Sequence, residues 1–280
     1  MNPVHSAYNE DQLRELELWP LIQLQQAPNP SMHHDMVPQT AENDAPDTAP
    51  MRNAPRVPIK AERQPQTRPA AVPAVATSLP PNPERIAHIA TLDWDGLTIE
   101  AAACGACKLC KQRKQAVLGV GAQNAPWLFV GEGPGAEEDD QGEPFVGPAG
   151  KLLDAMLAAA GLQRGREVYI ANVVKCRPPG NRNPSVDEAL ACAPLLDRQI
   201  DLIQPKIIVA LGKIALNRLT GSDASMASMR GKLHAYRGIR VVATYHPAYL
   251  LRSLPDKLKA WEDLMLAKKA MAASQEFARG

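Results

Sequence analysis

Cys104-Gly-Ala-Cys107 is a chelating pair, and Cys176 and Cys192 follow with 15 residues between them. Four thiolates at these positions can close around zinc or an iron–sulfur cluster. Structural zinc usually takes two tight Cys-x-x-Cys pairs, and the second pair here is not tight, so spacing alone leaves both open. Cys110 is left over, as a small packing residue or a bystander thiol. Around the cysteines lie Lys108, Lys111, Arg113, Lys114, Lys175, Arg177 and Arg182, with no carboxylate in either stretch. If one metal centre pins the two stretches together, these cations form a patch suited to phosphates.

A second set of reactive side chains is spread along the chain. GEGPGAEEDDQGEPFVG supplies Glu132 and Glu138, with Phe145 as one of only three phenylalanines. Its glycines allow a ligand to approach the main chain closely. There is no Gly-Lys-Ser/Thr ending, and Pro134 interrupts a dinucleotide-type turn, so a P-loop or a dinucleotide fingerprint fits poorly. A long polar loop with one aromatic suits recognition of something flat. The helix expected from Gly147 turns free N–H groups toward the same loop, which reads as an anion site.

These residues need a scaffold that brings them together. Strands are expected over 126–131, 167–174 and 206–211, alternating with helices near 149–160, 186–203 and 213–219. That order predicts an α/β fold with a parallel-sheet core sandwiched by helices. GKLHAYRGIRVVATYHP adds a hairpin about an Arg-Gly turn that ends in a strand over 239–244, and DKLKAWEDLMLAKKAM adds an amphipathic C-terminal helix. In parallel sheets ligands gather beyond the carboxyl ends of the strands. Glu132, Asn172 and Tyr245-His246 all stand there, so a carboxylate, an amide, an aromatic ring and an imidazole converge on one rim.

Composition separates the front of the chain from the rest. Of the 26 prolines, 15 fall within residues 1–83. Three parts are expected: a short amphipathic docking segment within 1–26, carried by residues 8–25 and offering a surface to a protein partner; a disordered Pro-rich linker over 27–83; and a folded domain over 84–280. With a net charge of +1, any nucleic-acid binding rests on local clustering of cations. No apolar run reaches the roughly 20 residues of a membrane span and no signal peptide is evident. Together with cysteines that do not read as a disulfide framework, this places the protein in the cytoplasm, away from membranes, and a monomer is expected.

Five ordered motifs, CGACKLC with LGVG, GEGPGAEEDDQGEPFVGPAGKLLD, NVVKCRPPGNRNP, the Cys sixteen residues after Cys176, and HPAYLLR, resemble the iron–sulfur uracil-DNA glycosylases, or family 4. The resemblance covers roughly residues 95–270. It implies a DNA-repair hydrolase that flips uracil from single- or double-stranded DNA and cuts its N-glycosidic bond without cutting the strand. It also implies a four-iron, four-sulfur cluster on Cys104, Cys107, Cys176 and Cys192. By the same resemblance Phe145 stacks on the base, Asn172 pairs with its O4 and N3-H edge, Glu138 crowds C5 against thymine's methyl, and His246 bonds O2. Glu132 is the candidate for placing water. Other uracil glycosylases carry Gln at that position and a water-activating Asp at the next, which is Gly133 here. Leu250, Leu251 and Arg252 are the candidate wedge that fills the gap left by the flipped base. Two further readings are a non-catalytic iron–sulfur DNA-binding module and a superfamily relative acting on other deaminated bases.

Overall fold

The computed structural model describes residues 82–277. The docking segment of residues 1–26 and nearly all of the 27–83 linker lie outside the described residues. The exception is the linker's end: Asn82 caps the first helix, its side chain accepting from the Glu84 N–H at 2.9 Å, and Pro83 is helical. Proline suits that position because its missing N–H has no partner in a first turn.

The helices are α1 Pro83–Thr91, α2 Trp94–Ala103, α3 Ala136–Gln141, α4 Pro148–Ala159, α5 Val186–Ile203, α6 Lys213–Thr220, α7 Met226–Met229, α8 Pro247–Leu250 and α9 Asp256–Phe277. The strands are β1 Val120–Gly121, β2 Trp127–Gly131, β3 Val168–Asn172, β4 Ile207–Leu211, β5 Leu233–Tyr236 and β6 Ile239–Thr244, in the order β1-β3-β2-β4-β6-β5. The four inner strands are parallel and the two edge strands antiparallel. β2, β3 and β4 are buried along their whole length, as sheets covered by helices on both faces require. No helix among the described residues is long and apolar enough to cross a membrane.

Alternation along the strands sorts side chains into two cores. Trp127, Phe129, Val209 and Val242 pack against Leu153 and Leu157 of α4 and Trp261 and Leu264 of α9. Leu128, Val130, Ile208 and Val241 face the other way, onto Leu97 of α2, Leu196 and Ile200 of α5 and Leu216 of α6. Cys176 and Cys192 belong to this second core. The β5–β6 hairpin turns through Arg237 and Gly238, both at positive φ, which matches the twist of the flanking strands.

Register aligns the functional rim. Gly131 pairs with Asn172 and Leu211 with Thr244, so the ends of β2, β3, β4 and β6 lie side by side. Two differences from the sequence reading bear on the site. The acidic stretch expected as open loop contains α3, which starts after Gly135 with Glu137, Glu138 and Asp139 in its first turn, where carboxylates favour the exposed N–H groups. Leu250, one of the three wedge candidates, is fully buried in the α4/α9 core. The single turn of α8 rotates it inward and leaves Leu251 44% exposed, so any wedge role passes from Leu250 to Leu251.

Candidate active site and thiol cavity

A cavity of about 500 Å³ opens at the rim, and its walls include Glu132, Gly133, Glu138, Phe145, Asn172, His246 and Arg252. Tyr249, Asn181 and Asn183, to which the sequence reading gave no role, also line it beside Arg182. Asn172, the last residue of β3, is 2% exposed, and its Oδ1 has no hydrogen-bond partner among the described residues. An unmet buried acceptor typically costs about 1–3 kcal/mol, so it marks a place where a donor belongs. Gly131 makes room beside it: a Cβ there would stand 2.7 Å from the Phe145 ring. Phe145 adopts a left-handed φ of 57°, and its ring lies 5.5 Å from that of His246, inclined by 29°.

His246 caps α8, with Nδ1 accepting from the Ala248 N–H at 3.2 Å. The neutral ring then carries its proton on Nε2. Burial pushes its pKa down to about 4, with the Glu138 charge opposing and Arg252 assisting, so the imidazole is neutral at pH 7. A capping role and a donor role are therefore compatible, one at each nitrogen. Burial raises the pKa of Glu132, whose side chain lines the same cavity. A side chain at position 133 would press on Val174, since a Cβ would lie 2.7 Å from its methyl carbon. Gly133 is thus a steric requirement as well as a missing carboxylate.

The expected anion site is filled from within. Glu138 accepts from the N–H groups of Gly135 at 3.0 Å, Val146 at 3.2 Å and Gly147 at 3.4 Å. Its carboxylate ties both ends of the loop together while remaining part of the cavity wall.

All five cysteines line one narrow cavity behind the rim. Among the described residues no three metal-binding groups converge on one point, as the ligands of a single ion would. Burial pushes the Cys192 thiol up to about 12 and raises those of Cys176 and Cys107, so thiolates there need strong counter-charge. Donors already surround the sulfurs. Arg113 reaches Cys176 Sγ at 2.9 Å, Arg85 reaches Cys104 Sγ at 3.3 Å, and the Lys175 N–H reaches Cys192 Sγ at 3.3 Å. The donor set fits a thiolate-bound group.

These contacts correct the phosphate patch of seven cations. Lys175 is buried, donating from Nζ to the Asn172 carbonyl at 2.8 Å and to Gln199 Oε1 at 2.5 Å. Arg113 faces the thiols, Lys114 pairs with Asp140, and Arg182 with Glu188. Lys108, Lys111 and Arg177 are the members with no ion pair described. A charge run in sequence does not show which carboxylates and sulfurs the fold will set against it.

The family model for the uracil DNA glycosylase superfamily matches residues 118–265. The type-4 uracil-DNA glycosylase of Sulfurisphaera tokodaii is 48% identical over 161 residues, covering 54% of this chain and 73% of the relative. The type-4 enzyme of Thermotoga maritima is 46% identical over 169 residues, 59% of this chain and 88% of the relative. That of Saccharolobus solfataricus is 42% identical over 188 residues, 64% of this chain and 87% of the relative.

The depressed pKa of His246 has a consequence for stability. An unfolded histidine takes up its proton near pH 6.5, whereas the folded one resists until about 4. Stability is therefore lost as pH falls between those values, by up to an amount on the order of 3 kcal/mol. Urea unfolding at pH 7, 5.5 and 4.5 should show a steeper loss for the parent than for His246→Gln; parallel losses would mean that His246 is not held neutral.

Proposed function

From the chain's place in the uracil DNA glycosylase superfamily, to whose type-4 group it belongs, we infer how the rim cavity performs uracil excision. The activity is hydrolysis of the N-glycosidic bond of uracil in DNA, leaving an abasic site for base excision repair. Relatives at this identity do not favour the reading as a non-catalytic module or as an enzyme for other deaminated bases.

The observation that carries the reading is the unmet Oδ1 of Asn172 facing the same cavity as the neutral His246 ring. Uracil offers an N3-H donor beside an O4 acceptor, which an asparagine amide matches with its oxygen and its nitrogen. Cytosine reverses both. Phe145 stacks on the base, and Glu138, held by three backbone amides, stands against C5, where thymine carries a methyl. The His246 Nε2–H donates to O2. As the bond between N1 and C1′ breaks, its electron pair leaves with the base and charge collects on O2, so this hydrogen bond strengthens toward the transition state. Water held by Glu132 adds to C1′, and the proton it sheds balances the departing uracil anion, which is released as the neutral base. Burial raises the Glu132 pKa, which strengthens its carboxylate as an acceptor for that water.

On the DNA side, the exposed Leu251 beside Arg252 fills the gap left by the flipped base. Lys108, Lys111 and Arg177 are the candidate phosphate contacts. We retain a monomeric, cytoplasmic enzyme, with a protein partner reserved for residues 8–25. Cys104, Cys107, Cys176 and Cys192 would hold a four-iron, four-sulfur cluster. When bound, that cluster supplies a cross-link between the two cysteine-bearing segments and takes no part in bond cleavage. Cys110 packs beside it.

The activity is tested by single-turnover release of uracil from single strands and from duplexes. His246→Ala should lower the rate by about 10²–10³ with DNA affinity little changed, as for loss of one donor to a developing anion. Leu251→Ala should slow the duplex reaction more than the single-strand reaction. Equal losses of rate and affinity in His246→Ala would make it a positioning residue, and a parent inactive on every uracil substrate would refute the reading. For the cluster, Cys192→Ala should lose iron and its visible absorbance while Cys110→Ala keeps both. Full iron in Cys192→Ala would overturn the ligand set.

A further inference from the structure

Phe145 combines two features that do not hold themselves. It is a non-glycine residue in the left-handed region, and it is 6% exposed while lining the cavity. Such a conformation persists only where its surroundings enforce it. The surroundings here converge on one side chain outside the cavity. Arg164, in the connection between α4 and β3, donates from Nη1 to the Pro144 carbonyl at 2.8 Å and from Nη2 to the Phe145 carbonyl at 2.9 Å. Its Nε donates to Asp154 Oδ1 at 2.8 Å, which fixes the plane of the guanidinium from α4. Gly150 closes the other side, because a Cβ there would collide with the Phe145 carbonyl oxygen.

We propose that Arg164 is a positioning residue for base capture: its guanidinium fork grips the two carbonyls at positions 144 and 145 and so sets the angle at which Phe145 meets the base. The inference rests on the reading of Phe145 as the stacking platform. Arg164 does not line the cavity, and none of the motifs that signal the family contains it. A lysine could replace its charge but not its geometry, since one ammonium cannot present three coplanar donors to two carbonyls and a carboxylate.

The test is a double-mutant cycle on the iron-loaded full chain, reading the affinity for free uracil together with kcat and KM on a single-stranded uracil oligonucleotide. Arg164→Met should weaken uracil binding and raise KM by about tenfold, the scale of losing charged hydrogen bonds, with kcat changed far less. Arg164→Lys should recover little of that loss. In a Phe145→Ala background the Arg164→Met change should add less than about twofold, because the clamp no longer has a ring to aim. The same loss in both backgrounds would show a general structural effect and overturn the proposal. So would parental uracil affinity in Arg164→Met, or full rescue by lysine. Should Arg164→Met fail to fold, Arg164→Lys carries the cycle, with parental affinity again overturning the proposal. If Phe145→Ala itself binds uracil as the parent does, the stacking reading fails first and the inference falls with it. Parental affinity in Arg164→Met beside weak affinity in Phe145→Ala would leave the stacking reading standing and remove only the clamp.

Discussion

A buried amide oxygen without a partner is a cost that a fold must hold in place against relaxation. The side chain of Asn172 could meet its needs by turning if there were space, and its neighbours deny it that freedom. Gly131 brings backbone against it, and the Phe145 ring lies against the same glycine. The Asn172 carbonyl is itself gripped by the Lys175 ammonium. In the proposed reading the remedy is a ligand that donates at that point and accepts beside it, and the same cost then discriminates among bases.

Hydrogen bonds link the thiol region to the site. Lys175 stands between Asn172 and Cys176, and its main chain bonds Cys192 Sγ on one side and the Val117 N–H on the other. The segment after Cys110 continues to Lys114 and Gln115, whose N–H groups donate to the buried Asp139 of α3. α3 carries Glu138, and Glu138 binds the loop beside Phe145. The cavity walls that carry Asn172 and Phe145 are thus both tied to the cysteine-bearing segments. A cluster held there, as proposed, would stiffen the pocket without touching the substrate, and it would give Arg113 and Arg85 a reason to face sulfur.

Much of this was legible in the sequence because it followed from period and order. Short apolar runs alternating with helical patterns gave the parallel sheet, and the rule that ligands gather at the carboxyl ends of strands brought Glu132, Asn172 and His246 to one rim. What escaped depended on contacts between distant segments. The Leu250–Leu251 pair is apolar at both positions, and only the turn of α8 shows which one enters the core. α3 was hidden by Gly135 and Pro134, which read as loop although Gly135 serves as its cap. The partners of Glu138, Arg113 and Lys175 lie across the fold, and Arg164 carries no local pattern at all.

The most direct test of the central claim uses the bases alone, away from DNA, wedge and phosphate contacts. Calorimetric titration of the iron-loaded protein with free uracil and, separately, free cytosine isolates the edge that Asn172 is proposed to read. The account predicts that cytosine binds at least about tenfold more weakly, since each mismatched buried group costs about 1–3 kcal/mol. Equal affinities for the two bases would contradict it.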